Sequence, residues 1–272
     1  MNKLSKERQT QVLSALVEGN SIRSIERMTG IHRDTIMRLG VRVGETCAQF
    51  MDETLRNLPC ERIQVDEIWA YCGKKQRHVK RTDDLERVGD VWTWVALDPD
   101  TKLVPCYHIG SRTTTDARAF MRDLESRLAN RVQLSSDGFP IYLNAVRAAF
   151  GDGVDYGQIV KYFEASPDGS GRYSPPKVTS AERSVISGDP EQQHISTSHV
   201  ERQNLTMRMQ MRRFTRLTNG FSKKIENMKA AVGLHFCHYN FVRTHKTLKM
   251  TPAMKAGIVN HALTVGDLAG LS

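Results

Sequence analysis

The sequence of 272 residues lacks any apolar run close to the roughly 20 residues that a membrane-spanning helix needs. Its N-terminal stretch is charged and amphipathic, and it lacks the apolar segment and small-residue cleavage site of a secretory signal peptide. These absences predict a cytoplasmic protein. Hydrophobic residues make up 39% of the chain, which is typical of a globular protein with room for one large domain and a small one.

Cysteine is scarce, and its spacing carries no pairing pattern. The five cysteines are scattered and none forms a C-x-x-C pair, so the sequence indicates neither a disulfide framework nor a zinc finger. It also contains no convincing Ser-His-Asp or Cys-His arrangement for nucleophilic catalysis. Any chemistry must therefore come from another set of side chains.

Acidic residues are almost absent from one long segment of the chain. Residues 198–257 contain 12 Lys and Arg against 2 Asp and Glu, whereas residues 1–60 and 61–197 carry net charges of +2 and −2. The overall net charge of +9 therefore arises from residues 198–257. Positive charge concentrated in this way favours a polyanionic partner, most often nucleic acid.

The first 45 residues predict a small helical unit. Apolar spacing indicates a helix ending near Gly19, a short helix at 22–28, a third helix at 31–39, and a connecting helix over 41–60. A short helix, a glycine-containing turn and a helix with basic and hydroxyl residues form the helix-turn-helix pattern. In this interpretation Arg33, Thr35 and Arg38 lie near base edges in the major groove of DNA. The alternative is a three-helix unit with no role in DNA binding.

The character of the sequence changes at residue 61. Segments rich in β-branched and aromatic residues predict strands at 62–73, 91–97, 102–110, 131–138 and 155–163. Helices are predicted at 115–130 and 140–150. The first three strands indicate an antiparallel meander, and the mixed order indicates an α/β fold with helices flanking a central sheet.

Residues 165–197 are rich in glycine, proline and serine and predict a flexible insertion, either functional or a tolerated surface loop. A helix is expected over 198–216, beginning with a Ser198–Glu201 capping box. The predicted core face of this helix consists of Val200, Met207, Met211 and Phe214, and its polar stripe of Glu201, Asn204, Arg208 and Arg212. A final helix is expected over 222–242. The predicted organisation is a helical unit at 1–45, a connector at 46–60, an α/β domain at 61–250, and a C-terminal tail at 251–272.

Three acidic residues stand out by their positions. Asp66 lies within the apolar first strand, Asp137 ends the fourth predicted strand, and Glu201 heads the helix after the insertion. A carboxylate in a hydrophobic strand is costly unless it is paired or binds a metal. Strands one and four are expected to be neighbours, so Asp66 and Asp137 can lie side by side. Glu67 is the rival to Asp66, because alternation directs the two to opposite sides of the strand.

Converging carboxylates repel one another, and a divalent cation removes that penalty. Mg²⁺ suits such a site because it binds one or two carboxylates together with phosphate oxygens and water. Two such ions about 4 Å apart can activate an attacking hydroxyl or water and stabilise the leaving oxygen of a phosphodiester. The sequence therefore predicts a metal-dependent site acting on nucleic acid.

At these positions the chain resembles the DDE-type transposases of bacterial insertion sequences, which have an RNase H-like catalytic domain. It looks closest to the group typified by the first-numbered insertion sequence, although members of that group often begin with a cysteine zinc-binding motif that is missing here. The similarity covers roughly residues 61–253. The matching stretches are VDEIWAYCGKK, WTWVALDPDTKLVPCYHIGSRTTTDA, LSSDGFPIY, HVERQNLTMRMQMRRFTRLTNGFSKK and YNFVRTHKTLKMTPA.

The resemblance implies that Asp66, Asp137 and Glu201 form a catalytic, metal-binding triad. It also implies Mg²⁺, with Mn²⁺ as a substitute, hydrolysis at a transposon end, and attack of the freed 3′-hydroxyl on target DNA. The expected partners are transposon-end and target DNA and further copies of the chain, as a dimer or larger assembly at the bacterial nucleoid. The residues predicted to contact DNA are Arg33, Thr35, Arg38, Lys74, Lys75, Asn204, Arg208, Arg212, Arg213, Arg216, Lys223 and Lys224.

Two other functions fit the same sequence. One is a catalytically inactive, sequence-specific DNA-binding protein derived from a transposase, and the other is a metal-dependent nuclease without strand transfer. An intact acidic triad argues against the first, since a DNA-binding protein has no need of it. A helix-turn-helix unit argues against the second, since it implies a specific target.

Overall fold

The computed structural model describes residues 4–84, 87–164, 178–215 and 218–271. In these ranges the chain is an α/β protein in which helices flank a six-stranded mixed sheet. The strands are β1 (Arg62–Cys72), β2 (Gly89–Leu97), β3 (Tyr107–Gly110), β4 (Val132–Asp137), β5 (Val154–Phe163) and β6 (Val178–Ser187). The helices are α1 (Lys6–Val17), α2 (Ile22–Thr29), α3 (Arg33–Thr54), α4 (Thr114–Arg127), α5 (Ile141–Phe150), α6 (Ser198–Gln210), α7 (Ile225–Cys237), α8 (Pro252–Lys255) and α9 (Val265–Gly270).

The strand order across the sheet is β3-β2-β1-β4-β5-β6. Strands β1, β2 and β3 form the expected antiparallel meander, and β1 and β4 are parallel neighbours, as the sequence predicted. Strand β3 is shorter than expected: Pro105 has no N–H to donate to β2, and the backbone of Val104 bonds to the side chain of Asn240, at 3.0 and 2.9 Å.

The expectation of a flexible insertion over 165–197 is wrong for much of that segment. Residues 178–187 form β6, which pairs antiparallel with β5 at the edge of the sheet. Residues 192–194 form a 3₁₀ turn that leads towards α6. The part of the insertion at 165–177 lies outside the described residues. The sequence signal was misleading because glycine, proline and serine, counted over the whole segment, hid the β-branched residues of VTSAERSVIS.

The two helices expected at 31–39 and 41–60 are one continuous helix, α3, so the boundary expected near residue 45 falls inside it. Two glycines allow α3 and α7 to pack closely against each other. A Cβ atom on Gly44 would lie 2.0 Å from the carbonyl oxygen of Ala230 in α7, and one on Gly233 would lie 2.5 Å from the carbonyl of Gly44. Close backbone approach of α3 and α7 therefore requires both glycines.

The segment expected to be a tail, 251–272, is structured through residue 271. Helix α9 packs against α1, and the helices at both ends of the chain share one hydrophobic core with the sheet. All five cysteines are buried and free. No helix in the described part of the chain is both long and apolar enough to cross a membrane.

Candidate active site

Asp66 and Asp137 meet at the centre of the sheet. The recorded parallel pairing of β1 with β4 ends at Gln64 and Ser135, and Asp66 and Asp137 each lie two residues further along their strands, so each shares the face of its paired residue. Paired residues on adjacent strands direct their side chains to the same face of a sheet. Both carboxylates therefore point to the face that α6 covers, and Asp137 sits where β4 ends.

Helix α6 is held on this face by two polar side chains of β1. The buried Gln64 accepts hydrogen bonds from the backbone N–H groups of His199 and Val200, at 2.9 and 3.2 Å, and so caps the start of the helix. One turn further on, the Asn204 amide donates to Asp66 Oδ2 at 2.8 Å. Because Gln64 and Asp66 are two residues apart, strand alternation presents both to α6.

The helix differs in detail from its prediction. It starts after Thr197, which makes no side-chain cap hydrogen bond, so the expected Ser198–Glu201 capping box is absent. It ends at Gln210, and Arg212 to Phe214 form a 3₁₀ turn, so Arg212 lies beyond the helix. The predicted core face is confirmed, since Val200, Met207, Met211 and Phe214 are all buried.

Glu201 extends from α6 near the Asp66–Asp137 pair, but it is engaged elsewhere. Its Oε1 accepts hydrogen bonds from Lys161 Nζ at 2.5 Å and from Thr197 Oγ1 at 2.6 Å. Lys161 Nζ also donates to Thr197 Oγ1 at 3.2 Å, and its charge stabilises the ionised form of Asp137. An ammonium group therefore stands among the carboxylates on this face.

Burial dominates the electrostatics of the pair. It raises the pKa of Asp66 to about 7, and the charges of Glu67 and Asp137 act in the same direction. The hydrogen bond from Asn204 opposes this shift only in part. Burial also raises the pKa of Asp137, against the effect of a hydrogen bond from the Phe139 N–H at 3.1 Å. Both carboxylates are thus short of stabilising partners.

Glu67 faces the opposite side of the sheet and is fully engaged there. Arg112 forms an ion pair with its Oε1 at 2.6 Å, and the Tyr142 hydroxyl donates to its Oε2 at 2.8 Å. The Glu67 side chain is only 2% exposed. Burial raises its pKa, and the Tyr142 hydroxyl and the Arg112 charge oppose that shift. The alternation that separated Asp66 from Glu67 in the sequence is present in the fold.

The donor set at Asp66 and Asp137 fits a divalent cation. Besides the two carboxylates, Asn204 offers a buried Oδ1 atom that has no hydrogen-bond partner, and carboxylate and amide oxygens are suitable ligands for such ions. As the side chains stand, the described residues contain no group of three or more His, Cys, Asp or Glu that could hold a metal ion. The two aspartates therefore form a partial site that Glu201 does not complete.

The basic residues predicted to bind DNA in the C-terminal half fall into three groups. Arg212, Lys223 and Lys224 are exposed. Arg208 and Arg213 are half-buried: Arg213 donates to Ser222 Oγ at 2.9 Å and burial lowers the pKa of its guanidinium, while Arg208 donates to the Phe214 carbonyl at 3.5 Å. Arg216 lies outside the described residues.

The remaining predicted DNA contacts lie at two other places. Lys74 forms an ion pair with Asp83 at 2.8 Å, whereas Lys75 is exposed beside it. In the first turns of α3, Arg33 and Arg38 are exposed and Thr35 is half-buried. The turn before α3 is closed by Glu26, which accepts a hydrogen bond from the Arg33 N–H at 2.9 Å, and by a left-handed Gly30.

The sequence argument missed three side chains that shape this site: Gln64, Lys161 and Arg112. Gln64 could have been found from the sequence, because it is a polar residue in an apolar strand and lies two residues from Asp66, on the same face. Lys161 and Arg112 carried none, because each lies far along the chain from the carboxylate that it contacts.

A scan against protein-family models finds no match for the chain, and a search of curated proteins finds no match either. A function therefore has to be inferred from the side chains and their geometry.

Proposed function

We propose that the chain is a DNA transposase of the DDE type, with an RNase H-like catalytic domain and an N-terminal helix-turn-helix unit. The observation that carries this proposal is the parallel β1–β4 pairing, which ends two residues before Asp66 and Asp137 and brings both aspartates to the face covered by α6, where their charges interact. The strand order β3-β2-β1-β4-β5 with helices on the sheet is compatible with an RNase H-like fold. Residues 198–257, with 12 basic and 2 acidic side chains, supply the charge that a DNA backbone requires.

In this proposal Asp66 and Asp137 would hold a divalent cation, Mg²⁺ or Mn²⁺, and Glu201 would join them once its contact with Lys161 is broken. When bound, the cation supplies Lewis-acid activation for phosphodiester hydrolysis and strand transfer. Asn204 orients Asp66 through its amide N–H. Gln64 keeps the start of α6, and hence Glu201, close to the sheet. The chain itself contributes positioning, since no nucleophilic side chain is required.

The experiment that tests the proposal is end cleavage and joining. Full-length protein is incubated with labelled DNA carrying the repeats that flank its own gene, in Mg²⁺ or EDTA, beside the Asp137→Ala variant. We expect metal-dependent nicks at the repeat ends and joined products, both absent in the variant. Nicks without joined products would favour a metal-dependent nuclease.

The second candidate function is a catalytically inactive DNA-binding protein. The observation that favours it is that the Glu201 carboxylate is already bound by Lys161 and Thr197. Tight binding to the repeats with neither product, in Mg²⁺ and in Mn²⁺, would support this function and contradict the transposase.

DNA binding itself has two components that can be separated. Arg212→Ala should weaken binding about equally for all sequences and lower the slope of log K against log salt by about one unit. Arg33→Ala or Arg38→Ala should instead reduce the preference for the terminal repeat over random DNA. Equal behaviour of the three variants would contradict a division into sequence-reading and backbone-binding regions.

A further inference from the structure

Beyond the acidic site, strand β1 carries an aromatic surface, made of Trp69, Tyr71 and Phe221. The ring centroids of Trp69 and Tyr71 are 5.8 Å apart and tilted by 35°, and those of Tyr71 and Phe221 are 4.6 Å apart and tilted by 31°. All three are half-buried, and none belongs to the hydrophobic core or to the partly buried apolar side chains packed against it. The three rings therefore pack mainly against one another and keep part of their surface exposed.

Two lysines accompany these rings. Lys223 Nζ lies 3.5 Å from the centroid of the Phe221 ring, and Lys75 Nζ lies 5.7 Å from that of Tyr71. Both lysines are exposed, and neither side chain forms an ion pair with an acidic group in the described residues. A row of aromatic rings bordered by exposed lysines is complementary to stacked bases and their phosphates.

The aromatic surface and Asp66 lie on opposite faces of the same stretch of β1, beyond the point where its recorded pairing with β4 ends. Strand β1 pairs with β4 only as far as Gln64. Beyond that residue, in the described ranges, the β4 side of β1 has no strand partner until Cys72 bridges to Ser222. Asp66 lies at the start of this unpaired stretch on the α6 face, and Trp69 and Tyr71 lie along it on the opposite face. At about 3.3 Å per residue, Trp69 is roughly 10 Å along the strand from Asp66.

We propose that the aromatic surface binds unpaired DNA, whose bases stack on Trp69 and Tyr71 while Lys75 and Lys223 contact the phosphates. Double-stranded DNA presents its phosphates and groove edges, whereas the faces of its bases are already stacked on one another. Aromatic rings can therefore stack only on the bases of a strand that is not in a duplex. This inference rests on the proposed function, because it gives one strand of an opened DNA end a place along β1, on the face opposite Asp66.

The test measures binding of a fluorescein-labelled 20-nucleotide strand and of its duplex by anisotropy in EDTA, so that cleavage plays no part. Trp69→Leu and Tyr71→Leu should each weaken binding of the unpaired strand roughly 5- to 100-fold, the range expected for loss of one base–aromatic stack. Duplex binding should change less than about twofold. Tyr71→Phe retains the ring and should bind like wild type, and Tyr162→Leu removes an exposed tyrosine elsewhere.

A second readout uses the tryptophans themselves. The chain has three, and Trp94 is fully buried. Stacking should quench the emission of Trp69, so unpaired DNA should quench wild-type fluorescence and Trp69→Phe should abolish most of the quenching while binding persists. Equal losses for duplex and unpaired DNA, or binding indifferent to both leucine variants, would overturn the proposal. Failure here leaves end cleavage untouched, and failure of end cleavage leaves the binding result standing.

Discussion

Two neighbouring residues of β1 occupy opposite environments. Glu67 is sealed on one face of the sheet between Arg112 and Tyr142, so its charge is balanced inside the protein. Asp66, on the other face, has only neutral donors, the Glu67 backbone N–H and the Asn204 amide, and the charge of Asp137 nearby disfavours its ionised form. Burial raises the pKa of both carboxyl groups, but only Glu67 has a cation in contact. A balanced carboxylate serves the fold, whereas an unbalanced pair creates a place for an external cation.

The largest expected effect concerns activity. If Asp66 holds the cation and Glu67 only supports the fold, Asp66→Asn should lower the rate of end cleavage by about 10³-fold or more. Glu67→Gln keeps the side-chain shape and should stay within about tenfold of wild type. The measurement is single-turnover cleavage of a labelled repeat end at equal protein occupancy. A larger loss of cleavage rate in Glu67→Gln than in Asp66→Asn would show that Glu67, and not Asp66, is the residue that activity requires.

The second prediction concerns stability, where we expect substitution of Glu67 to have the larger effect. Glu67→Ala should destabilise the protein by roughly 2–4 kcal/mol, because it leaves Arg112 and the buried Tyr142 hydroxyl without their partner. Asp66→Ala should cost much less, since it also removes an unfavourable buried charge. Urea unfolding followed by far-UV circular dichroism compares them. Equal losses would show that Asp66 is as well balanced as Glu67.

The third prediction concerns pH. Because the folded pKa of Asp66, about 7, lies above its unfolded value of 3.8, the folded state binds the proton more tightly and stability falls as pH rises from about 4 to 7. The asparagine of Asp66→Asn has no proton to lose. The free energy of unfolding of this variant should therefore exceed that of wild type by roughly 1–3 kcal/mol at pH 8 and equal it near pH 3.5.

Thermal melting at the two pH values measures this difference. Asp155→Asn is the matched control of opposite sign, because Arg131 holds the pKa of the Asp155 carboxyl below its usual value. That variant should lose stability at pH 8, and the loss should disappear at low pH. A pH-independent difference between Asp66→Asn and wild type would contradict a raised pKa.

The smallest expected effect involves Lys161, whose ammonium group stands where a cation is expected. Lys161→Met removes a positive charge beside Glu201, so Mn²⁺ should bind several-fold more tightly. Lys161→Arg retains the charge and should behave like wild type. The melting temperature is measured at increasing Mn²⁺ concentrations, and the concentration that gives half of the maximal increase is compared between variants. This measurement does not require the protein to be active. Weaker Mn²⁺ binding in Lys161→Met would show that Lys161 favours cation binding and does not compete with the cation.

Sequence reasoning succeeded where a signal is local or periodic. The meander, the β1–β4 neighbourhood and the core face of α6 followed from alternation, helical spacing and crossover rules. It failed where a local signal had a distant explanation. The break expected between residues 39 and 41 is absent, because α3 continues through it to pack closely on α7 at Gly44. Strand β6 was hidden because an edge strand exposed on both faces carries no hydrophobic alternation.

The sequence by itself determined that an acidic residue lies inside an apolar strand, that positive charge is concentrated in residues 198–257, and that Asp66 and Glu67 point in opposite directions. These properties depend on composition and on the two-residue period of a strand. Only the tertiary structure decided which acid would be neutralised. Arg112, Tyr142, Lys161 and Asn204 are brought to their carboxylates by packing of elements far apart in the chain, and no local pattern encodes such contacts.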